Sequence, residues 1–88
     1  MDETLRLRAD RVDWRVVEGE VVALDVTTSD YLAVTGAGTV IWEGLAEGVR
    51  RDELVDRVVA RYEVDPATAA ADVDAFVAGL DARGLVER

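Results

Sequence analysis

The spacing of apolar residues changes once along this chain, near Gly36, from a period of two to a period of three to four. In residues 11–17, Val12, Trp14 and Val16 fall on one face, and in residues 21–26, Val22, Leu24 and Val26 can share a face. Residues 31–35 put Leu32 and Val34 on one side and Tyr31 and Ala33 on the other. A period of two predicts strands, because successive side chains of a strand point to opposite faces. Glu18-Gly19-Glu20 and Thr27-Thr28-Ser29-Asp30 are polar breaks, and Gly19 suits the positive φ that tight turns need. Three strands joined by such short links predict an antiparallel meander. Residues 1–10 read as a polar lead-in in which Leu5 and Leu7 alternate only weakly.

Downstream the pattern is helical. A first helix is predicted over residues 36–47, with Val40, Ile41 and Leu45 at one-turn spacing and Gly48 as its stop. A second covers residues 51–62, where Leu54, Val55, Val58, Val59 and Tyr62 form an apolar stripe. Asp52 and Glu53 lie near its start, where the helix dipole favours negative charge. A third has Asp65 as N-cap, Pro66 at the first helical position and Gly84 as its stop, with Val73, Phe76, Val77 and Leu80 recurring inside. Leu85-Val86 is a short apolar tail. The expected fold is α+β: a three-stranded antiparallel sheet followed by three helices, in a single domain over residues 1–88.

Composition narrows the function more than any motif does. The chain has no Cys, His, Lys, Asn or Gln, and its one serine is Ser29. The commonest general base, the commonest nucleophile pair and the preferred transition-metal ligands are therefore missing. Catalysis by carboxylates alone would need a deep cleft, which a chain of 88 residues has little material to build. No catalytic residue, metal site or cofactor is expected. The net charge is −9, from 19 acidic residues and 10 arginines spread over both halves, so phosphate would be repelled and nucleic acid is not an expected partner. No run of 18 apolar residues exists to span a membrane, and the first residues are acidic where a signal peptide is basic. A cytoplasmic location is expected.

Each local signal also has a plainer structural reading. Gly36-Ala-Gly38 fails the G-x-G-x-x-G pattern because position 41 is Ile, so it reads as a strand-to-helix hinge. The acids Asp52, Glu53 and Asp56, and Asp72 and Asp74, lack calcium-loop spacing and read as solvated helix faces. Asp74 and Asp81 lie seven apart beside Val77, a stripe that either solubilises or meets a basic partner residue. Trp14, Trp42 and Phe76 could form a ligand cage, but Trp42 and Phe76 read as core. The third strand carries no Lys, Pro or bulge, the usual devices that blunt a sheet edge. Either another element covers it or the edge is functional.

Taken in order, several segments resemble the PqqD family. They are Val21-Val-Ala-Leu-Asp25, the run from Tyr31 to Trp42, Glu53-Leu-Val55, Tyr62-Glu-Val-Asp-Pro66 and the closing run from Leu80 to Glu87. The chain has Val34-Thr35 where the family usually has Leu-Asn, which keeps the apolar position and removes the amide. The resemblance implies a winged-helix-like recognition element that binds the leader segment of a ribosomal precursor peptide as an added strand. That strand would lie beside the third strand and against the third helix. The implied strand positions are Tyr31, Leu32, Ala33, Val34 and Thr35, and the implied helix positions are Asp74, Val77 and Asp81. Free-standing members of this length resemble the leader-binding proteins of lasso-peptide pathways, whose partners are a separate leader peptidase and a cyclase. The alternative is a winged-helix DNA-binding or transcription-regulator domain. The negative charge and a third helix with no arginine before Arg83 weigh against it.

Overall fold

The computed structural model describes residues 4–88. In chain order they form β1 (Thr4–Leu7), β2 (Val12–Val17), β3 (Glu20–Asp25), β4 (Asp30–Val34), α1 (Ala37–Glu47), β5 (Val49–Arg50), α2 (Arg51–Tyr62), α3 (Pro66–Ala82) and β6 (Val86–Glu87). The three expected strands are β2, β3 and β4, paired antiparallel in that order, and the three helices follow. The fold is α+β, as the sequence predicts.

The lead-in is more ordered than expected. Residues 1–3 lie outside the described residues, but Thr4–Leu7 is the central strand of a second small sheet, ordered β5-β1-β6. Leu5 lies opposite Val49 and Leu7 opposite Val86, and all four are buried. Two alternating leucines are too short a signal to declare a strand. Their partners are two-residue strands far along the chain, so the pairing is tertiary rather than local.

The faces of β3 also differ from the simplest reading. Val22 and Leu24 do share a face, but it is the outer one; Val21, Ala23 and Asp25 turn inward with 0%, 1% and 2% exposure. The register explains this. Val21 pairs with Val34 and Ala23 with Leu32, which is the apolar side of β4. Residues 21–24 are apolar throughout, so periodicity alone could not choose between the two phases.

Asp25 is the buried polar group of this sheet, and it ties the β3–β4 turn. The Thr27 and Thr28 N–H groups donate to its Oδ1 at 3.0 and 3.4 Å. Burial disfavours the charged form, but these two backbone bonds and the nearby Arg11 guanidinium outweigh it, holding the carboxyl below its ordinary value.

The helices begin and end where their capping residues stand. The Thr68 N–H donates to the Asp65 carboxylate at 3.0 Å, with Pro66 at the first helical position of α3. Gly36 precedes α1 with φ 60° and ψ −138°, a backbone state that residues with a side chain avoid. Two positions later, a Cβ on Gly38 would stand 2.7 Å from Val34 Cγ1 and 2.8 Å from the Phe76 ring. The first turn of α1 is thereby pressed between β4 and α3. Behind it the core is continuous: Ile41, Trp42 and Leu45 of α1 pack with Leu54 and Val58 of α2 and Ala69, Val73, Val77 and Leu80 of α3. Trp14 of β2 meets Trp42 edge to face, with ring centres 6.0 Å apart.

Two alanine substitutions in helices are expected to have opposite signs. Gly38→Ala should lose about 1–3 kcal/mol by overpacking, whereas Gly79→Ala, with nothing within 4 Å of the new Cβ, should gain roughly 0.5–1 kcal/mol. Chemical denaturation of both variants checks this. For Asp25, a depressed folded-state pKa means its contribution is complete above the unfolded value of about 3.9 and disappears as pH falls through the folded one. Asp25→Ala should therefore be less stable than the wild type near neutral pH, with the gap closing below about pH 4. Denaturation midpoints measured across pH give this directly.

Candidate functional site

One bond fixes the phase of the whole meander. The Val26 N–H donates to the Arg11 carbonyl at 3.0 Å, toward β2. Backbone polar groups alternate sides along a strand, so Leu24 and Val22 also bond toward β2, while Asp25, Ala23 and Val21 bond toward β4. Their partners Asp30, Leu32 and Val34 are thus occupied. Tyr31 and Ala33 turn their N–H and C=O groups the other way, and no strand among the described residues pairs there. β4 spans Asp30–Val34, so Thr35, expected as its last residue, falls just beyond it and leads into the Gly36 hinge.

Beside that edge runs a groove of about 300 Å³ between β4 and α3. Leu32 and Val34 line the strand side, and Ala75, Phe76, Gly79 and Arg83 line the helix side. Phe76, half-buried, is held there by its contact with the start of α1. Gly79 lies one turn further along and leaves a notch, since a Cβ there would meet nothing within 4 Å. Arg83 is the one charged residue of the lining. The site is an apolar trough with a free backbone ladder along one wall. It can hold an extended chain, with backbone bonds giving affinity and the trough sorting side chains.

The structure brings the strand residues Leu32, Ala33 and Val34 to this groove and sets Tyr31, 77% exposed, on the outer face of the sheet. It does not bring Asp74, Val77 and Asp81 there. Those three line a separate hollow of about 480 Å³ on another face of α3, together with Leu5, Arg51 and Arg88. Asp74 receives two hydrogen bonds from the Arg51 guanidinium, at 2.6 and 2.8 Å, which hold its carboxyl below the ordinary value. Asp81 faces Arg88 at 3.5 Å, and Val77 is 7% exposed. The cause is helical phase: each residue turns the helix by about 100°, so a small slip exchanges one face for another.

The helix residues that border the groove include Phe76, which the sequence marks as core, and Gly79 and Arg83, which are not among the residues expected at the site; they are spaced at three and seven from Phe76. That spacing, together with a glycine left inside a helix, was the available signal. The three aromatics do not form a cage: Trp42 is fully buried, Trp14 lies against it, and Phe76 lines the groove. Among the described residues no group of three His, Cys, Asp or Glu side chains could hold a metal ion, and no helix is long and apolar enough to cross a membrane.

Comparison with known proteins places this geometry. Residues 20–86 match the family model described as coenzyme PQQ synthesis protein D, PqqD. The chain is similar to the solved structure of TbiB1 in complex with the TbiA(beta) leader peptide, with 34% identity and a TM-score of 0.84 over 93% of this chain and 94% of that one. It also shares the fold of a lasso peptide synthetase B1 complexed with the leader peptide, at 23% identity and a TM-score of 0.81 over 96% and 98% of the two chains. No curated protein sequence matches. With the family model spanning residues from β3 to β6, the chain belongs to the PqqD family.

Proposed function

We propose that this chain binds the leader segment of a ribosomal precursor peptide as a strand added to β4, in the groove against α3, during lasso-peptide maturation. The observation that carries the reading is the free ladder of Tyr31 and Ala33 above an apolar trough. It is supported by the likeness to TbiB1, a protein solved with a leader peptide bound. The chain acts without catalysis of its own, in the cytoplasm, and hands the peptide to a separate leader peptidase and cyclase.

On the strand side the contacts come from residues 31–35. Alternate leader residues point inward, over Leu32, Val34 and Phe76, and outward, beside Tyr31 and over the small Ala33. On the helix side the contact face is Ala75, Phe76, Gly79 and Arg83, rather than Asp74, Val77 and Asp81, whose two acids are held by Arg51 and Arg88.

Fluorescence polarisation with the labelled leader of the precursor encoded beside this chain tests the proposal. Saturable binding is expected; its absence with a folded protein would sink it. Ala33→Pro removes an outward N–H without touching the β3 ladder, and should weaken binding about tenfold or more while leaving the fold intact. Leu32→Pro should instead damage the sheet itself, seen as lost thermal stability. Gly79→Leu fills the notch with a side chain that meets no neighbour at its Cβ, so the variant should fold at least as stably and bind about tenfold more weakly or worse. Unchanged affinity in both Ala33→Pro and Gly79→Leu would count against strand addition in this groove.

A further inference from the structure

β4 is one of two open edges of the meander. β2 lies at the other end of the order β2-β3-β4, with no strand beyond it among the described residues. The Val26 to Arg11 bond sets its phase as well. Asp13, Arg15 and Val17 bond to β3, while Val12, Trp14 and Val16 turn their N–H and C=O groups outward. The strand has an unbroken register and neither Pro nor Lys. Trp14, Val16 and Val17 are 36%, 50% and 41% exposed.

Val12-Asp13-Trp14-Arg15-Val16 is self-complementary when laid antiparallel to itself. With a two-fold axis at Trp14, the tryptophan meets its own counterpart, Val12 meets Val16, and Asp13 meets Arg15, each twice by symmetry. The backbone phase agrees. Val12, Trp14 and Val16 become the bonded pairs, and Asp13 and Arg15 fall in the non-bonded pairs, where Cα atoms approach to about 4.5 Å. Moving the axis to Asp13 or to Arg15 sets that charge against itself, which is destabilising, and moving it to Val16 leaves no opposite charges facing. Moving it to Val12 faces Arg11 with Asp13 but leaves only Val12 of β2 opposite its own copy, so the register centred on Trp14 is the one that combines opposite charges with pairing along the strand. Neither Asp13 nor Arg15 has an ion-pair partner among the described residues.

We propose that a second copy of this chain pairs along β2 in this register, through the Asp13–Arg15 pairs and the exposed edges of Trp14 and Val16. The two meanders then form one six-stranded sheet with a free β4 at each end, so a dimer would present two peptide-binding edges. The pairing itself does not depend on peptide binding.

Sedimentation velocity over a concentration series tests this with charge reversals. The wild type should show a concentration-dependent dimer. Arg15→Asp makes both facing positions acidic, Asp13→Arg makes both basic, and each should weaken association about tenfold or more. The double variant Asp13→Arg/Arg15→Asp restores opposite charges in the same register and should dimerise again. An equimolar mixture of the two single variants should form a heterodimer. Far-UV circular dichroism confirms folding of each variant. A wild type that stays monomeric to its solubility limit would overturn the proposal, as would a dimer that the single reversals leave unchanged or the double variant does not restore.

Discussion

The start of α1 has to pass between β4 and α3 with no side chain at position 38. Val34 and the Phe76 ring both stand under 3 Å from where a Cβ would be, so three elements meet at one glycine. That contact sets how far β4 stands from α3, and this distance makes a groove rather than a closed interface. It also turns Phe76 toward the strand, which fixes the phase of α3 and sends Asp74, Val77 and Asp81 to another side. Gly36, with a backbone state reserved for glycine, lets the chain leave β4 and enter α1 within so short a span. The two glycines thus meet separate demands, a special backbone state at Gly36 and close packing at Gly38.

From this constraint follows the division of labour in the sheet. β3 is satisfied on both sides, and its inward residues Val21, Ala23 and Asp25 seal the meander. β4 has its inner ladder filled by β3 and its outer ladder open beside an apolar trough. An edge without Lys, Pro or a bulge is ordinarily an aggregation hazard. Here a net charge of −9 opposes non-specific stacking of molecules, so an edge pairs only where a partner complements it.

Much of the fold was legible in the sequence because its signals are local. The period-two runs of β2 and β4, the Asp65–Pro66 cap and the glycine stops each depend on a few neighbouring residues. β1 was not legible, since Leu5 and Leu7 acquire meaning only through Val49 and Val86. The inward face of β3 was ambiguous because residues 21–24 are apolar on both sides. Which residues of β4 border the groove was legible in the sequence, and which side of α3 borders it was not. Strand residues alternate between two faces, whereas the facing side of α3 depends on the contact of Phe76 with the turn at Gly38.

Residue-resolved amide hydrogen exchange with and without the leader peptide tests the central claim most directly. In the free protein the Leu32 and Val34 amides, bonded to β3, should be protected, while those of Tyr31 and Ala33 exchange freely. Adding the leader should protect Tyr31 and Ala33 and leave the hollow beside Asp74 and Asp81 unchanged. Saturating leader that leaves Tyr31 and Ala33 exchanging freely, or protects the Asp74–Asp81 face instead, would contradict the account.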